Sequence, residues 1–203
     1  MLYRLGYLLF RGYFKLAYRW QVYGLENLPS SGPFIICSNH ISWFDPPLIA
    51  CSIPSKLRVH FMAKQELFSN FFFRAILKAL GAFPINRDGG GFAAIRTSLK
   101  LLEEGKILGL FPEGTRGQDG FPKKAQLGAA AIASRNHTPI LPVAISGPYR
   151  WRKPQRVIIG PIFYLPSLEG GDRKDNLNQQ SAEIMNRIKA LLSQAQKLNL
   201  EQQ

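Results

Sequence analysis

The sequence predicts an α/β fold: a single domain with a mixed, largely parallel sheet flanked by helices, preceded by an N-terminal amphipathic helix. Three observations carry this. Phe34–Cys37, Lys106–Phe111 and Ile140–Ile145 are short, nearly continuous apolar runs, as expected for strands covered on both faces. Segments of helical spacing alternate with such runs, the pattern of βαβ units. The length of 203 residues suits one domain, and 46% hydrophobic with 12% aromatic residues is too apolar for a disordered chain.

Residues 1–20 are interrupted by Arg4, Arg11, Lys15 and Arg19. A secretory signal needs an unbroken apolar stretch, and a membrane span needs about 20 mostly apolar residues. Neither fits. On a helix the four basic residues fall within a sector about 80° wide. Leu2, Leu5, Leu9, Tyr13, Leu16 and Trp20 lie on the other side. A basic stripe beside a broad apolar face describes a helix lying in a membrane interface, and packing on the domain is the alternative. The expected division is residues 1–21 as this helix and 22–203 as the main domain.

Val22–Leu28 reads as a strand closed by Pro29, Ser30, Ser31 and Gly32. Phe34–Cys37 is the next, leading into the polar turn Ser38-Asn39-His40. Asp45 followed by Pro46 and Pro47 starts a helix, as a cap with Pro at the first helical position. Leu57–Met62 is a strand. Leu67–Leu80 is a helix stopped by Gly81, and Ala82–Ile85 a short strand. Phe92–Glu104 is a helix closed by Gly105, and Lys106–Phe111 a strand. Ala125–Ser134 is a helix of small residues. Ile140–Ile145 and Val157–Ile159 complete the strands, with Gly147–Pro154 as a surface loop. A polar helix over Asn178–Leu198 ends the chain. Pro84 and Pro142 predict edge strands or irregular pairing, since proline cannot donate to a ladder.

The chain carries 26 Lys+Arg against 13 Asp+Glu, a net charge of +13. Such an excess favours a polyanionic partner: nucleic acid, an anionic membrane surface or a phosphorylated substrate. No acidic residue occurs in 1–20, nor between Gly120 and Leu168, where Lys123, Lys124, Arg135, Arg150, Arg152, Lys153 and Arg156 lie. The two cysteines, Cys37 and Cys51, form no metal-ligand spacing, so no metal is expected, and a reduced compartment is.

Asn39-His40-Ile41-Ser42-Trp43-Phe44-Asp45-Pro46 places His and Asp at the end of an apolar strand. A regular helix would put them about 140° apart, so they meet only across a turn. A His held by a carboxylate presents its other nitrogen as a general base toward a hydroxyl. A solvated His beside a helix-capping Asp is the plainer reading. Phe111-Pro112-Glu113-Gly114-Thr115-Arg116 also follows a strand. Its Arg offers a fork suited to phosphate, or an ordinary ion pair with Glu113. Gly81-Ala82-Phe83-Pro84-Ile85-Asn86-Arg87 puts a further Arg past a strand. Ser42 reads as a hydrogen-bonding turn residue, His60 as structural, His137 as solvated, and Cys37 as a buried thiol. No G-x-S-x-G elbow positions a serine nucleophile. At helical spacing core is the default for Phe68, Phe71, Phe72 and Phe73, but three consecutive Phe cannot all face inward on one helix, so at least one is expected to face outward, toward a channel or lipid.

These blocks, with Thr138-Pro139-Ile140-Leu141-Pro142-Val143 as a fourth, resemble the 1-acylglycerol-3-phosphate acyltransferase family, the PlsC-type glycerolipid acyltransferases. The resemblance covers residues 24–160. Met62-Ala63-Lys64-Gln65-Glu66-Leu67 is similar to a family segment as well. It implies a glycerolipid acyltransferase-like fold and transfer of a fatty acyl group from a thioester to the free hydroxyl of a lysophospholipid in phospholipid biosynthesis. The acceptor implied is 1-acyl-sn-glycerol 3-phosphate, giving phosphatidic acid, with another lysophospholipid or an aminolipid as the alternative. The donor is acyl-CoA or acyl-carrier protein, as a substrate, with no further cofactor. Within this resemblance His40 is the catalytic base and Asp45 its orienting carboxylate. Glu113, Gly114, Thr115 and Arg116 shape the acceptor pocket, and Arg87 and Lys64 complete a phosphate cradle. Membrane association is peripheral or monotopic, on the cytoplasmic face. Gly117 departs from the serine often found there, the loop Asp88–Gly91 departs from a GxxxxGK[ST] phosphate loop, and the N-terminus is short.

A non-catalytic binder of anionic lipid or nucleic acid would explain the charge equally well. It would not explain a His–Asp pair and two Arg-bearing turns all following strand-like runs, where sheet ends converge. No helix-turn-helix, RNP or zinc-finger pattern is present, so no nucleic-acid partner is expected.

Overall fold

The computed structural model describes residues 2–85, 91–117, 125–147, 149–168 and 170–200. The strands are β1 (Arg19–Tyr23), β2 (Ile35–Ser38), β3 (Val59–Lys64), β4 (Phe83–Ile85), β5 (Ile107–Leu110), β6 (Ile140–Ile145) and β7 (Pro154–Ile159). The helices are α1 (Leu2–Ala17), α2 (Asp45–Ser52), α3 (Phe71–Ala79), α4 (Phe92–Glu103), α5 (Gly128–Arg135) and α6 (Arg173–Leu200). One sheet runs in the order β1-β7-β6-β2-β5-β3-β4. All neighbours are parallel except β6 and β7. This is the predicted mixed, largely parallel α/β domain.

The central strands β2, β5 and β6 are buried at every residue. Helices cover both faces, so alternation disappears from their sequence. Phe34 and Ile36 face one layer with Phe14, Leu48 and Ile49, from α1 and α2. Ile35 and Cys37 face the other, with Leu102, Ala130, Ile132 and Ile184 from α4, α5 and α6.

Several expected bounds shift, among them the helix over Leu67–Leu80, which is a 3-10 turn at Gln65–Phe68 followed by α3. The strand expected over Val22–Leu28 runs instead from Arg19 to Tyr23 and pairs with β7. Gly24 ends it at φ 78°, and a Cβ there would sit 1.9 Å from the Ile159 carbonyl oxygen. A short 3-10 turn over Leu25–Asn27 follows. Residues 19–21 are thus part of the sheet. Pro142 lies in interior strand β6, so of the two expectations for it irregular pairing holds and the edge does not. Its carbonyl accepts the Gly160 N–H at 2.9 Å, and pairing resumes only at Ile140 with Phe163. Proline leaves the Pro142–Gly160 pair with a single bond, and the register slips by one residue between Gly160 and Phe163. Pro84 does lie in edge strand β4.

Helix α1 has three faces. Phe14 and Ala17 are fully buried, and Tyr7 and Phe10 pack beside them on the core. Leu2, Leu5, Leu9 and Leu16 are 54%, 54%, 66% and 78% exposed. Arg4, Lys15 and the following Arg19 are exposed as a basic edge. Arg11 turns away from that edge: its guanidinium donates to the Cys51 carbonyl and the Tyr7 hydroxyl, each at 3.0 Å, and lies over the Trp20 ring. Trp20 packs on the core rather than on the apolar outer face. Among the described residues no helix is long and apolar enough to cross a membrane.

Candidate active site

The chain leaves β2 through Asn39, whose buried amide donates to the Ile145 carbonyl at 2.9 Å and accepts the Ile145 N–H at 2.8 Å. This double bond to the end of β6 fixes where the next residue, His40, emerges. The turn 41–44 then brings Asp45 back, and Ser42 supports it by accepting the Phe44 N–H at 3.2 Å. Asp45 begins α2, followed by Pro46 and Pro47, whose missing N–H groups cost nothing in the first turn.

The result is a close pair. Asp45 Oδ2 lies 2.7 Å from His40 Nδ1. The same oxygen accepts the N–H groups of Ile41 at 2.6 Å and Ser42 at 2.7 Å. Oδ1 accepts the Tyr149 hydroxyl at 2.8 Å. Asp45 is fully buried, a placement that a carboxylate tolerates only when its lone pairs are satisfied. The helix N-terminus adds a favourable dipole. An Nδ1–H held by the carboxylate leaves Nε2 with its lone pair free.

The opposite wall comes from β5. Phe111 stacks on the His40 ring, centroids 4.0 Å apart and planes 17° apart, and Phe61 stacks behind it at 5.9 Å. Gly109 makes room: a Cβ there would meet the Phe61 ring at 2.3 Å. Gly114 takes φ 70° to turn the chain after Phe111. Glu113 is buried, and its Oε1 accepts the His40 backbone N–H at 3.0 Å. The Gly117 N–H donates to the His40 carbonyl at 2.9 Å. Residues 111–117 therefore clasp His40 from both sides of its peptide unit.

Of the residues singled out in the sequence, His40, Asp45 and Glu113 come together. Thr115 and Arg116 lie exposed on the same turn, with Arg116 4.0 Å above the Trp43 ring. Lys64 ends β3, exposed, on the strand next to β5. Arg87, Lys123 and Lys124 lie outside the described residues. His60 is half-buried, with Nδ1 3.3 Å from the Ile107 carbonyl, and burial holds its pKa below the usual value. His137 is exposed, and Cys37 is buried with its thiol pKa pushed up by burial. Among the described residues no cluster of His, Cys, Asp and Glu is gathered to hold a metal ion.

Three contacts went unread in the sequence: Tyr149 on Asp45, Phe111 on His40, and Trp43 under Arg116. Phe111 and Trp43 lay inside motifs already singled out, where an aromatic beside a His or Arg was the available signal. Tyr149 had none.

The family model described as Acyltransferase matches residues 19–146. The 1-acyl-sn-glycerol-3-phosphate acyltransferase of Bacillus subtilis is 36% identical over 183 residues, covering 84% of this chain and 90% of that protein. The enzyme of the same name from Streptococcus pneumoniae is 34% identical, over 57% of this chain and 42% of its own length. The crystal structure of PlsC, the 1-acyl-sn-glycerophosphate acyltransferase of Thermotoga maritima, matches with a TM-score of 0.67 and 24% identity. That match covers 94% of this chain and 78% of the other, and it shows a shared fold. With a model spanning most of the chain and a relative this similar across nearly its whole length, the protein belongs to the acyltransferase family.

Proposed function

We propose that this acyltransferase moves a fatty acyl group from an acyl thioester to the free hydroxyl of 1-acyl-sn-glycerol 3-phosphate, forming phosphatidic acid. The observation that carries the chemistry is the His40–Asp45 pair, Nδ1 and Oδ2 2.7 Å apart, which makes Nε2 the acceptor nitrogen of this reading. His40 Nε2 takes the hydroxyl proton as the acceptor oxygen attacks the thioester carbonyl. The new C–O bond forms and the C–S bond breaks. The proton passes from His40 to the departing thiolate. Asp45 holds the tautomer and stabilises the transient imidazolium. No enzyme-bound acyl group is needed.

The acceptor reading rests on the names of the relatives and on the cationic rim. The exposed Arg116 guanidinium lies 4.0 Å over the Trp43 ring, and its N–H groups are the phosphate donors of this reading. Lys64 and Arg87 are the further cations of this reading. The donor of this reading is acyl-CoA or acyl-carrier protein, and the reading sets the enzyme at the cytoplasmic face of the membrane. Helix α1 is the contact surface of this reading, through exposed Leu2, Leu5, Leu9 and Leu16 beside Arg4, Lys15 and Arg19.

An acceptor screen tests this. Purified protein with palmitoyl-CoA and a panel of lysophospholipids is followed by mass spectrometry. Phosphatidic acid is the expected dominant product. Preferential acylation of a zwitterionic lysophospholipid or an aminolipid would reassign the acceptor.

A further inference from the structure

Tyr149 lies between β6 and β7, 104 residues along the chain from the carboxylate that it touches. Its hydroxyl is the one donor to Asp45 Oδ1 among the described residues, at 2.8 Å. Oδ2 is already committed to His40 and to two backbone N–H groups. With Oδ2 fully subscribed, the Tyr149 bond satisfies the other buried oxygen and sets the plane of the carboxylate. That plane decides whether Oδ2 faces Nδ1.

The ring of Tyr149 is itself locked. It packs edge-on against Tyr18 with centroids 5.5 Å apart, and against Phe44 at 6.1 Å. Phe44 is stacked on Tyr13 and lies edge-on to Phe14, both of α1. The phenol ring is therefore packed between Tyr18 and Phe44 while its hydroxyl meets Asp45. Burial and the Asp45 charge push the pKa of the hydroxyl far up, so it remains a donor throughout the working pH range.

We propose that Tyr149 is a positioning residue of the acyl-transfer site, completing a His40–Asp45–Tyr149 relay in which its hydroxyl orients the Asp45 carboxylate and tempers its pull on His40. The inference rests on the acyltransferase reading of His40 as the base. A hydrogen bond to a carboxylate spreads its charge, so the remaining oxygen attracts an imidazolium less strongly. Removing the bond concentrates that charge on His40. The imidazole then keeps its proton to higher pH, and less of the base is in its active neutral form.

Tyr149→Phe keeps the ring and deletes only the hydroxyl. The other ionisable groups near the pair are Glu113, on the His40 N–H, Tyr18, against the Tyr149 ring, and Arg116, over Trp43, and all are unchanged in the variant. The expected result is a fall in kcat of about tenfold, an acceptor KM within about twofold of the unmodified protein, and an acid limb of the kcat–pH profile moved upward by roughly half a pH unit or more. A purely structural role would not move that limb. NMR titration of 15N-histidine-labelled protein, with His40 assigned by His40→Ala, reads the same shift without turnover. If the unmodified protein transfers no acyl group, the functional reading fails, while the His40 titration still decides the role of Tyr149. Unchanged kcat and an unchanged His40 titration in Tyr149→Phe would overturn the relay. So would a loss of kcat with neither the pH limb nor the titration displaced.

Discussion

The ring of Phe111 lies face to face with the His40 imidazole, 4.0 Å away and 17° from parallel. Phe111 thus limits the ring to one plane, the plane in which Nδ1 meets Asp45. It also offers a π face to the imidazolium of the proposed transfer. The Phe111→Leu variant keeps an apolar wall and loses both effects. It should lower kcat about tenfold, or ~1.4 kcal/mol in the transition state, with a smaller change in KM. Steady-state kinetics on folded protein measures this, and wild-type kcat would remove Phe111 from the site.

The outer face of α1 can be separated from its inner face. Leu5, Leu9 and Leu16 are exposed, so changing all three to Ser should shift stability little, within about 0.5 kcal/mol per site. Binding to anionic phosphatidylglycerol vesicles should fall roughly tenfold or more, because each leucine contributes about 1.5–3 kcal/mol when fully immersed. Phe14→Ala should do the reverse, destabilising the fold by about 3–5 kcal/mol, since Phe14 is fully buried. Sedimentation with vesicles and urea titration distinguish the two. Unaltered vesicle binding in the triple variant would move membrane contact elsewhere.

His60 sets a pH dependence of stability. Burial lowers its folded pKa, so the unfolded chain takes up the proton first as pH falls. The sign follows: stability is full above the unfolded value of about 6.5 and is lost as pH falls from there toward the lower folded value. Urea midpoints between about pH 7.5 and 5.5, a window set around that unfolded value, should therefore drop more steeply for the native sequence than for His60→Gln. Equal slopes would contradict the burial argument.

Much of this site was legible because its chemistry is local in sequence. His40 and Asp45 are separated by a turn that Ser42 and the two prolines could be seen to support, and the runs around Ile36, Leu108 and Leu141 marked buried strands. The rest depends on distant partners. Arg11 sits in register with the basic stripe of α1, yet Cys51 and Trp20 draw it inward, and neither position signals this locally. Pro142 argued for an edge or for irregular pairing, and only the slip between Gly160 and Phe163 decides for the second. Glu113 was read as a pocket residue or the partner of Arg116, and the bond of its carboxylate to the His40 backbone, across 73 residues of chain, had no local signal. Tyr149 was hidden for the same reason: a lone tyrosine in a basic loop carries no pattern.

The most direct test of His40 as the base is free-thiol release from palmitoyl-CoA in the presence of 1-acyl-sn-glycerol 3-phosphate, by the native protein and by His40→Ala. Circular dichroism and urea titration first establish that the variant is folded. Loss of the base should lower kcat by about a thousandfold or more, with acceptor KM little changed. Undiminished thiol release by folded His40→Ala would contradict the mechanism.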